Sequence, residues 1–262
     1  MKFNCLKENL MGALAIAQKA VSSKTTLPIL EGIFFSAANN NLLLRSTDLE
    51  IGVEVTIPAD VEIEGDIVLS SSIIGELIRK MSGSDVFFLS DEHHQIKIEC
   101  LLSNFTLKGL SADEFPALPE VIEDHIFSID ASVLKELIKG TLFSVATNEN
   151  IPVLTGVKIE LHEDNINLIA LDGYRLALRC GKIKKVVSED LTVIIPAKSL
   201  TEINKVLANY AGEVVVKFSE NQIFFEMENT QFTSRLLEGD FINYKQIIPV
   251  EKTTQVKINR RL

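Results

Sequence analysis

The sequence predicts an α+β fold that consists of two tandem copies of one domain, and three observations support that prediction. The first is an internal repeat, in which similar motifs recur at a nearly constant spacing. The second is a pair of segments in each copy whose apolar residues follow helical spacing. The third is a series of short alternating runs between turn residues, which is typical of antiparallel strands. Two helices and about eight short strands in a unit of about 125 residues make an α+β domain.

The repeat is clearest where "LPILEGIFF" at residues 27–35 is aligned with "IPVLTGVKI" at residues 151–159. The same offset of 124 residues places Asp48 on Asp172. Further along, the offset drifts to 126, where "IVLSSSIIGELIRKM" lies over "VIIPAKSLTEINKVL". A drift of two residues corresponds to one small loop insertion, so we expect two copies of a single structural unit.

The repeat also sets the expected domain boundaries. We expect one domain at residues 1–123, a second at 124–251 and the first residues of a third at 252–262. The last residues, "VKINRRL", resemble "FSIDASV" at 127–133, where the second copy begins. The remainder of a third copy is therefore expected to be absent from this chain, and a short C-terminal tail is the alternative.

Within each copy the same elements follow in order. The alternating stretch "FNCL" precedes a predicted helix at residues 7–24, and an Asn-rich turn joins two strands in "GIFFSAANNNLLLRSTD". A second helix is predicted at residues 71–82, and a three-stranded meander closes the copy. The second copy repeats this order, with helices at 131–145 and 197–209.

Composition indicates a globular protein of a reducing compartment. No apolar run approaches the ~20 residues that a bilayer-spanning helix needs, and "MKFNCLKENL" lacks the apolar core of a signal peptide, so we expect a cytoplasmic protein. Cys5, Cys100 and Cys180 are odd in number and far apart, which indicates buried thiols and neither disulfides nor a zinc site. Taken as an average, the net charge of −10 argues against nucleic acid as a partner.

The distribution of charge reverses that conclusion, because the predicted helices are basic. They hold nine basic and four acidic residues, a net charge of +5, whereas the rest of the chain holds 17 basic and 32 acidic residues, a net charge of −15. If the helices line one face, that face attracts phosphates while the acidic remainder repels them. The helices show no aromatic interleaving for base stacking and few Asn or Gln side chains, so we expect non-specific, salt-sensitive binding to duplex. Ordinary solvated helix faces are the alternative.

A turn interrupts the apolar run "LIALDGYRLALRC" at residues 168–180. Asp172 and Gly173 supply this turn, since glycine readily adopts a positive φ. Asp48 occupies the matching position in the first copy. Two carboxylates could perform acid–base chemistry, but these two belong to different domains, so a structural role in the turns is expected.

The sequence offers no recognisable catalytic constellation. It contains neither a P-loop nor a G-x-S-x-G motif. His93 and His94 fall in a predicted polar turn, with adventitious metal binding as the alternative. We therefore expect a non-catalytic protein without cofactor or metal. A peptide-binding scaffold with no DNA role, and a hydrolase whose site escapes the motifs, are the alternatives.

The chain resembles a known family over essentially its whole length. The matching segments are "MKF" at the start, "LPIL" followed by Gly32, "STDLE", "DGYRLAL", "IPAKSL" and "FINYKQIIP". They are similar to the bacterial DNA polymerase III β subunits, the processivity sliding clamps. The resemblance implies tandem DNA-clamp domains, each with two inner helices backed by antiparallel β-sheets. It also implies three domains per chain, two chains joined head to tail in a ring around duplex DNA, and a fragment of two domains that does not close that ring.

The resemblance further implies which residues contact partners. Phe105 and Leu107 lie on the edge strand that matches the ring-dimer interface of the family. A pocket for short peptides of the replicative polymerase α subunit, the clamp loader and other clamp-binding proteins is implied, more apolar than in many family members. A plain strand–turn–strand with Arg175 in a surface ion pair is the alternative for one wall of it. The DNA-binding positions are Lys24, Arg79, Lys80, Asn148 and Lys198, and the pocket positions are Leu154, Leu171, Gly173, Tyr174, Arg175, Leu176, Ile242, Gln246 and Ile247.

Overall fold

Two helices and a longer series of antiparallel strands form each copy of the repeat in the computed structural model. It describes residues 1–22, 25–119, 125–148, 150–184, 190–249, 251 and 253–259. The described elements of the first copy are β1 (Lys2–Leu6), α1 (Lys7–Ala17), β2 (Gly32–Ala38), β3 (Asn41–Thr47), β4 (Ile51–Pro58), β5 (Asp60–Ile63), β6 (Gly65–Ser70), α2 (Ser71–Lys80), β7 (Asp85–Ser90), β8 (Gln95–Cys100) and β9 (Ser103–Lys108).

The second copy repeats the order of the first. Its described elements are β10 (His125–Asp130), α3 (Ala131–Lys139), β11 (Gly156–His162), β12 (Asn165–Leu171), β13 (Leu176–Lys182), β14 (Leu191–Pro196), α4 (Ala197–Leu207), β15 (Glu213–Ser219), β16 (Gln222–Met227) and β17 (Thr230–Arg235). The counterpart of β5 falls on residues 185–189, which lie outside the described part. The predicted start of a third copy, residues 252–262, carries neither helix nor strand at its described residues 253–259.

Two of the predicted helices are shorter than their apolar pattern indicates. Helix α1 ends at Ala17 and continues as a single 3-10 turn, Gln18–Ala20, whereas the predicted helix extends to residue 24. Helix α3 ends at Lys139, where Gly140 has low helix propensity. The hydroxyl of Thr141 then donates to the carbonyl oxygen of Leu137 at 3.0 Å, which closes the last turn.

The strands form three antiparallel sheets among the described residues. One holds β5-β1-β7-β8-β9 and another holds β13-β12-β11-β14. The third crosses the boundary between the copies, in the order β10-β15-β16-β17-β4-β3-β2-β6. Its central seam pairs β17 of the second copy with β4 of the first, with Phe232 opposite Val53. The two copies therefore share one continuous sheet.

The core follows the alternation of the strands and the apolar faces of the helices. Helix α1 buries Leu10, Leu14 and Ala17 and packs against β4. An aromatic pair recurs in both copies, with ring centroids 4.6 Å apart for Phe3–Phe88 and 5.9 Å apart for Phe127–Phe218. Such pairs contribute about 0.5–1.5 kcal/mol beyond their buried area. The repeat thus extends from sequence motifs to core contacts. None of the described helices is long and apolar enough to cross a bilayer.

Candidate nucleic-acid and partner interfaces

A cleft of about 490 Å³ lies where the helices of the two copies approach each other. The 3-10 turn after α1 contributes Lys19, and α4 contributes Lys198 and Lys205. Asp48 and Glu202 also line this cleft, together with Gln18, Val21 and Ser22. Cationic side chains from helical segments of both copies therefore share one concave surface, which we call the helix cleft.

Carboxylates already hold two of the three lysines of the helix cleft. Lys205 donates to Glu202 at 2.6 Å, three residues earlier on the same helix. Lys198 forms an ion pair with Asp48, whose side chain is only 10 % exposed. This second pair joins the two copies, because Asp48 directly follows β3 of the first copy and Lys198 lies in the first turn of α4 of the second. Lys198 therefore links the domains in addition to facing the cleft.

Three of the remaining predicted DNA contacts, Arg79, Lys80 and Asn148, lie on exposed surfaces. Arg79 and Lys80 end α2, where cations also interact favourably with the helix dipole. Lys80 donates to Glu76 at 2.5 Å, an i,i+4 pair. Asn148 is exposed, and its side-chain oxygen accepts the backbone N–H of Asn150 at 3.1 Å. Lys24 lies outside the described residues.

The opposite side of the shared sheet is acidic. Helix α1 packs on the face of β4 that buries Val53 and Val55, so alternation directs Glu54 to the other face. There a broad cleft of about 800 Å³ is lined by four carboxylates together with polar side chains. The four are Glu54, Glu213, Glu226 and Glu228. Arg45 and Lys217 pair with Glu54 and Glu226, so two of these four carboxylates already have a cation beside them.

The turn at residues 172–175 is held by Asp172. Its Oδ1 accepts the backbone N–H groups of Tyr174 at 2.9 Å and Arg175 at 2.8 Å, and its Oδ2 accepts the Arg175 guanidinium at 2.6 Å. These hydrogen bonds lower the pKa of Asp172 to about 2. Gly173 takes the left-handed conformation, with φ of +90°. The predicted structural role of this aspartate is confirmed.

The first copy builds the same turn. The Oδ1 of Asp48 accepts the backbone N–H groups of Glu50 at 3.0 Å and Ile51 at 2.7 Å. Asp48 is the residue 124 positions before Asp172, so the repeat predicted this correspondence correctly. The ion pair of Asp48 with Lys198 had no sequence signal, because the partners are 150 residues apart.

The predicted peptide-pocket residues cluster at one end of the β13-β12-β11-β14 sheet. Leu154 and Leu171 are buried there, and Leu176 is half-buried. Tyr174 is 99 % exposed, so in this structure its ring forms no wall of a pocket. Arg175 forms an ion pair with Asp172. This is the surface ion pair that the alternative interpretation, a plain strand–turn–strand, predicts.

The other predicted wall is attached to this sheet through Tyr244. The Tyr244 hydroxyl donates to Glu160 on β11 at 2.9 Å, and burial together with this bond raises the pKa of Tyr244 to about 12. Burial acts to raise the pKa of Glu160, but the hydrogen bonds from Lys158 and Tyr244 outweigh it and lower that pKa. Sequence patterns gave no sign of this anchor. It leaves Ile242, Gln246 and Ile247 exposed.

Comparison with known proteins decides the family. The model of the DNA polymerase III β subunit N-terminal domain matches residues 1–119, and that of the central domain matches residues 128–243. The chain belongs to the bacterial β sliding-clamp family. The β sliding clamp of Staphylococcus aureus is 36 % identical over 267 residues, which covers 99 % of this chain and 71 % of the relative.

Solved clamp structures show the same fold. The clamp of Bacillus subtilis has a TM-score of 0.92 at 35 % identity, covering 96 % of this chain and 68 % of that one. The β subunit of Eubacterium rectale likewise has a TM-score of 0.92, at 34 % identity, covering 96 % and 69 %. The predicted α+β fold of tandem clamp domains and the resemblance to the clamp family are therefore confirmed.

The predicted interface strand of the clamp is an edge strand. Strand β9 ends the β5-β1-β7-β8-β9 sheet, and its Phe105 is 43 % exposed. Leu107 is half-buried and packs against the core. The edge position fits the predicted ring-dimer contact, while the contact itself stays a prediction.

Proposed function

We propose that this clamp subunit holds double-stranded DNA on its helix side without sequence preference. In the same proposal it tethers the replicative polymerase α subunit, the clamp loader and other proteins that carry clamp-binding motifs. The observation that supports the DNA role is the helix cleft, in which Lys19 and Lys205 come from different copies while carboxylates line the opposite face. Lysines that neutralise phosphates supply affinity without reading bases.

The proposal assigns different weights to the basic residues. Lys19 and Lys205 join Arg79, Lys80 and Asn148 as phosphate-facing groups. Lys198 contributes less, because its partner Asp48 is nearly buried and belongs to the other copy, whereas Lys205 pairs with Glu202 within its own helix. Holding DNA topologically requires no bond-making step, so the proposed role is that of a non-catalytic processivity factor. It places the protein in the cytoplasm, where bacterial DNA is replicated.

Partner peptides are proposed to bind beside the 172–175 turn. The half-buried Leu176 and the exposed Ile242 and Ile247 provide apolar surface at the sheet end, and the buried Leu154 and Leu171 form its floor. Gly173, Tyr174, Arg175 and Gln246 would lie at its rim. Because Tyr174 is fully exposed here, binding is expected to require its ring to fold onto the peptide.

Domain boundaries near residues 123 and 251 belong to the same proposal. So does a head-to-tail homodimer ring of the full-length subunit, in which Phe105 and Leu107 contact the third domain of the second chain. Both rest on the clamp family resemblance and on the edge position of β9.

Duplex binding as a function of salt tests the DNA role. Fluorescence anisotropy with unrelated duplex sequences is expected to give weak affinity without sequence preference, falling with salt at a slope of about −0.9 per phosphate contact. A Lys19→Ala/Lys205→Ala variant should bind every duplex more weakly and reduce the magnitude of that slope by about 2. A matched control is Lys97→Ala/Lys182→Ala, which removes two exposed lysines from sheet strands.

Three outcomes would contradict the proposal. They are affinity that ignores salt, a preference for one sequence, and equal weakening by the control pair. Turnover of any substrate during these titrations would instead support the hydrolase alternative.

A further inference from the structure

The helix cleft carries almost no net charge, although it is the surface proposed to hold DNA. Three lysines line it, Lys19, Lys198 and Lys205, together with two carboxylates, Asp48 and Glu202. Three positive charges less two negative ones leave +1 for these side chains. A surface that only held phosphates would lose affinity with each carboxylate placed on it. The two carboxylates of the cleft therefore need an explanation of their own.

The two carboxylates hold their lysines in different ways. Asp48 is only 10 % exposed, and its Oδ1 is fixed by two backbone N–H groups of its own turn. Its pair with Lys198 also joins the two copies, so this lysine is retained by the fold. Glu202 pairs instead with Lys205, which is 51 % exposed and lies three residues further along α4. An exposed pair within one helix is weak, so Lys205 can leave Glu202 at little cost.

The first copy carries the same arrangement. Glu76 lies 126 residues before Glu202, which is the offset of the repeat in this region. Each glutamate is the only acidic residue of its helix, α2 or α4, and each is paired with a lysine of the last turn, Lys80 or Lys205. The hydrogen bond from Lys80 and its positive charge hold the pKa of Glu76 below its ordinary value. The pairing of one glutamate with a terminal lysine is thus a feature of the repeated unit.

We infer that Glu202 is a competitor for DNA that is built into the helix cleft. It holds the ammonium of Lys205 whenever no phosphate is in contact, and it thereby lowers the affinity of the helix side for duplex. The exchange is purely ionic, since the ammonium leaves a carboxylate oxygen for a phosphate oxygen. Lysine suits this exchange because it is a compact charge on a flexible stem. The inference rests on the proposed DNA role and names what regulates affinity at that surface.

A competing carboxylate favours movement along the duplex. Proteins that bind the phosphate backbone without reading bases can slide, but each step requires lysines to leave one phosphate before they reach the next. Glu202 can take the ammonium of Lys205 between those contacts. It therefore stabilises the state between two phosphates relative to the state bound to one. Weak and rapidly exchanging contact is the expected result.

Glu202→Gln tests the inference, because it removes the charge and keeps the shape of the side chain. Fluorescence anisotropy with a fluorescein-labelled duplex of arbitrary sequence should show binding about two- to fourfold tighter at low salt. The ratio of the two affinities should approach one as salt rises, since salt screens both the ion pair and the repulsion between carboxylate and phosphate. A glutamate that only stabilised α4 would give unchanged or weaker binding when replaced.

Two further variants identify the cause of any gain in affinity. In a Lys205→Ala background, most of the gain from Glu202→Gln should disappear, because no ammonium remains to be released. Glu202→Asp keeps a carboxylate at the same position, and it should bind duplex about as the unaltered chain does. A double-mutant cycle over residues 202 and 205 thus separates competition for Lys205 from general repulsion of DNA.

The matched control is Glu99→Gln on β8. Glu99 forms an exposed ion pair with Lys97, and the alternation of the strand directs both side chains away from the buried Ile98. The variant removes the same single charge and also frees one lysine, but on a sheet face. It should leave the affinity for duplex unchanged.

The inference is overturned if Glu202→Gln binds duplex no more tightly than the unaltered chain. An undiminished gain in the Lys205→Ala background, an equal gain from Glu202→Asp, or an equal gain from Glu99→Gln would overturn it as well. Failure of the inference alone is recognisable, because the unaltered chain would still bind duplex in a salt-sensitive way and Lys19→Ala/Lys205→Ala would still weaken that binding. If neither the unaltered chain nor Glu202→Gln binds duplex, the proposed DNA role and the inference fall together.

Discussion

The aspartate turns at Asp48 and Asp172 show one backbone conformation built from different residues. Both turns place the residue after aspartate in the left-handed region, with φ of +74° at Leu49 and +90° at Gly173. Glycine adopts this conformation without a steric penalty, whereas a side chain costs about 1–2 kcal/mol there. The first copy therefore carries backbone strain that the second copy avoids.

Substitutions at residues 49 and 173 should change the free energy of unfolding in opposite directions. Leu49→Gly is expected to stabilise the first copy by about 1 kcal/mol, because strain relief exceeds the entropy cost of glycine. Gly173→Ala should destabilise by about 1–2 kcal/mol through φ alone, since an added Cβ meets no atom within 4 Å. Urea unfolding measures both changes.

Another surface leucine, Leu102, provides the control for strain relief. Leu102 is fully exposed and is not among the residues with positive φ. Leu102→Gly should therefore be neutral or slightly destabilising. Stabilisation by Leu102→Gly equal to that by Leu49→Gly would show that strain at residue 49 is not the cause.

The low pKa of Asp172 predicts that this residue makes the stability of the fold depend on pH only under acidic conditions. Its folded pKa is about 2 against an ordinary value of 3.8, so the unfolded chain binds the proton more readily. The stabilising contribution is complete above pH ~4 and is lost as the pH falls through ~2. Carboxyl ¹³C NMR should show a titration midpoint near 2 for Asp172.

Asp172→Asn separates the charge from the turn. The asparagine side-chain oxygen can still accept the two backbone N–H groups, but the ion pair with Arg175 is gone. The turn should persist, and the loss of stability between pH 4 and 2 should become shallower. An unchanged acid slope would exclude Asp172 as its source.

Sequence could predict the turns but not all of their partners. The adjacent residues Asp172 and Gly173 predict a turn by themselves, and the repeat extends that prediction to Asp48. Lys198 was placed on the helix side by charge pattern and resemblance alone. Its ion pair with Asp48 depends on how α4 meets the end of β3, which no local pattern encodes.

At the scale of elements, apolar periodicity found every described helix but misplaced two C-terminal ends. It predicted α2 and α4 within two residues of their observed ends. It overran α1 and α3, because apolar spacing continues into 3-10 turns that end the regular hydrogen bonding. The periodicity shows which side chains face the core. Side chains continue to face the core beyond the end of the regular helix.

The contact between α4 and the end of β3 should act as a latch between the copies. Lys198→Met is expected to cost about 1 kcal/mol while Asp48 is present, because it leaves a nearly buried carboxylate without its cation. In an Asp48→Asn background the same change should cost little. Denaturant unfolding of the four proteins in a double-mutant cycle should give a coupling of about 0.5–1 kcal/mol.

The exposed pair Lys80–Glu76 is the matched control for the latch. Both side chains are largely exposed on one helix, so their coupling should be only about 0.2–0.5 kcal/mol. Equal coupling in the two cycles would show that Lys198 and Asp48 behave as an ordinary surface pair. Lys198 would then be available for phosphate.

At the scale of the whole molecule, the sequence predicted two copies but not the sheet that joins them. The counterpart strands β9 and β17 have similar alternation, as do β4 and β13, so no pattern within a strand tells which edge finds a partner. The join between β17 and β4 connects residues more than 170 positions apart. Only the assembled structure reveals the seam, and with it the side on which lysines of both copies meet.

The shared sheet predicts that both copies unfold together. All three tyrosines lie in the second copy, so tyrosine fluorescence reports that copy alone, whereas far-UV circular dichroism reports both. In urea the two signals should follow coincident transitions, as expected for a single cooperative unit. Separate transitions in the unaltered chain would show that the seam is too weak to couple the copies.

Two buried phenylalanines make the test specific to the seam. Phe232 on β17 contacts Phe225 on β16, with centroids 6.2 Å apart, and Phe232 also lies opposite Val53 across the seam. Either truncation to alanine should cost about 3–5 kcal/mol, and both remove the same aromatic pair. Only Phe232→Ala should separate the two transitions, because only Phe232 belongs to the strand that pairs with the first copy. If Phe225→Ala separated them equally, loss of stability in the second copy would be the cause, and the continuous sheet would not be what couples the domains.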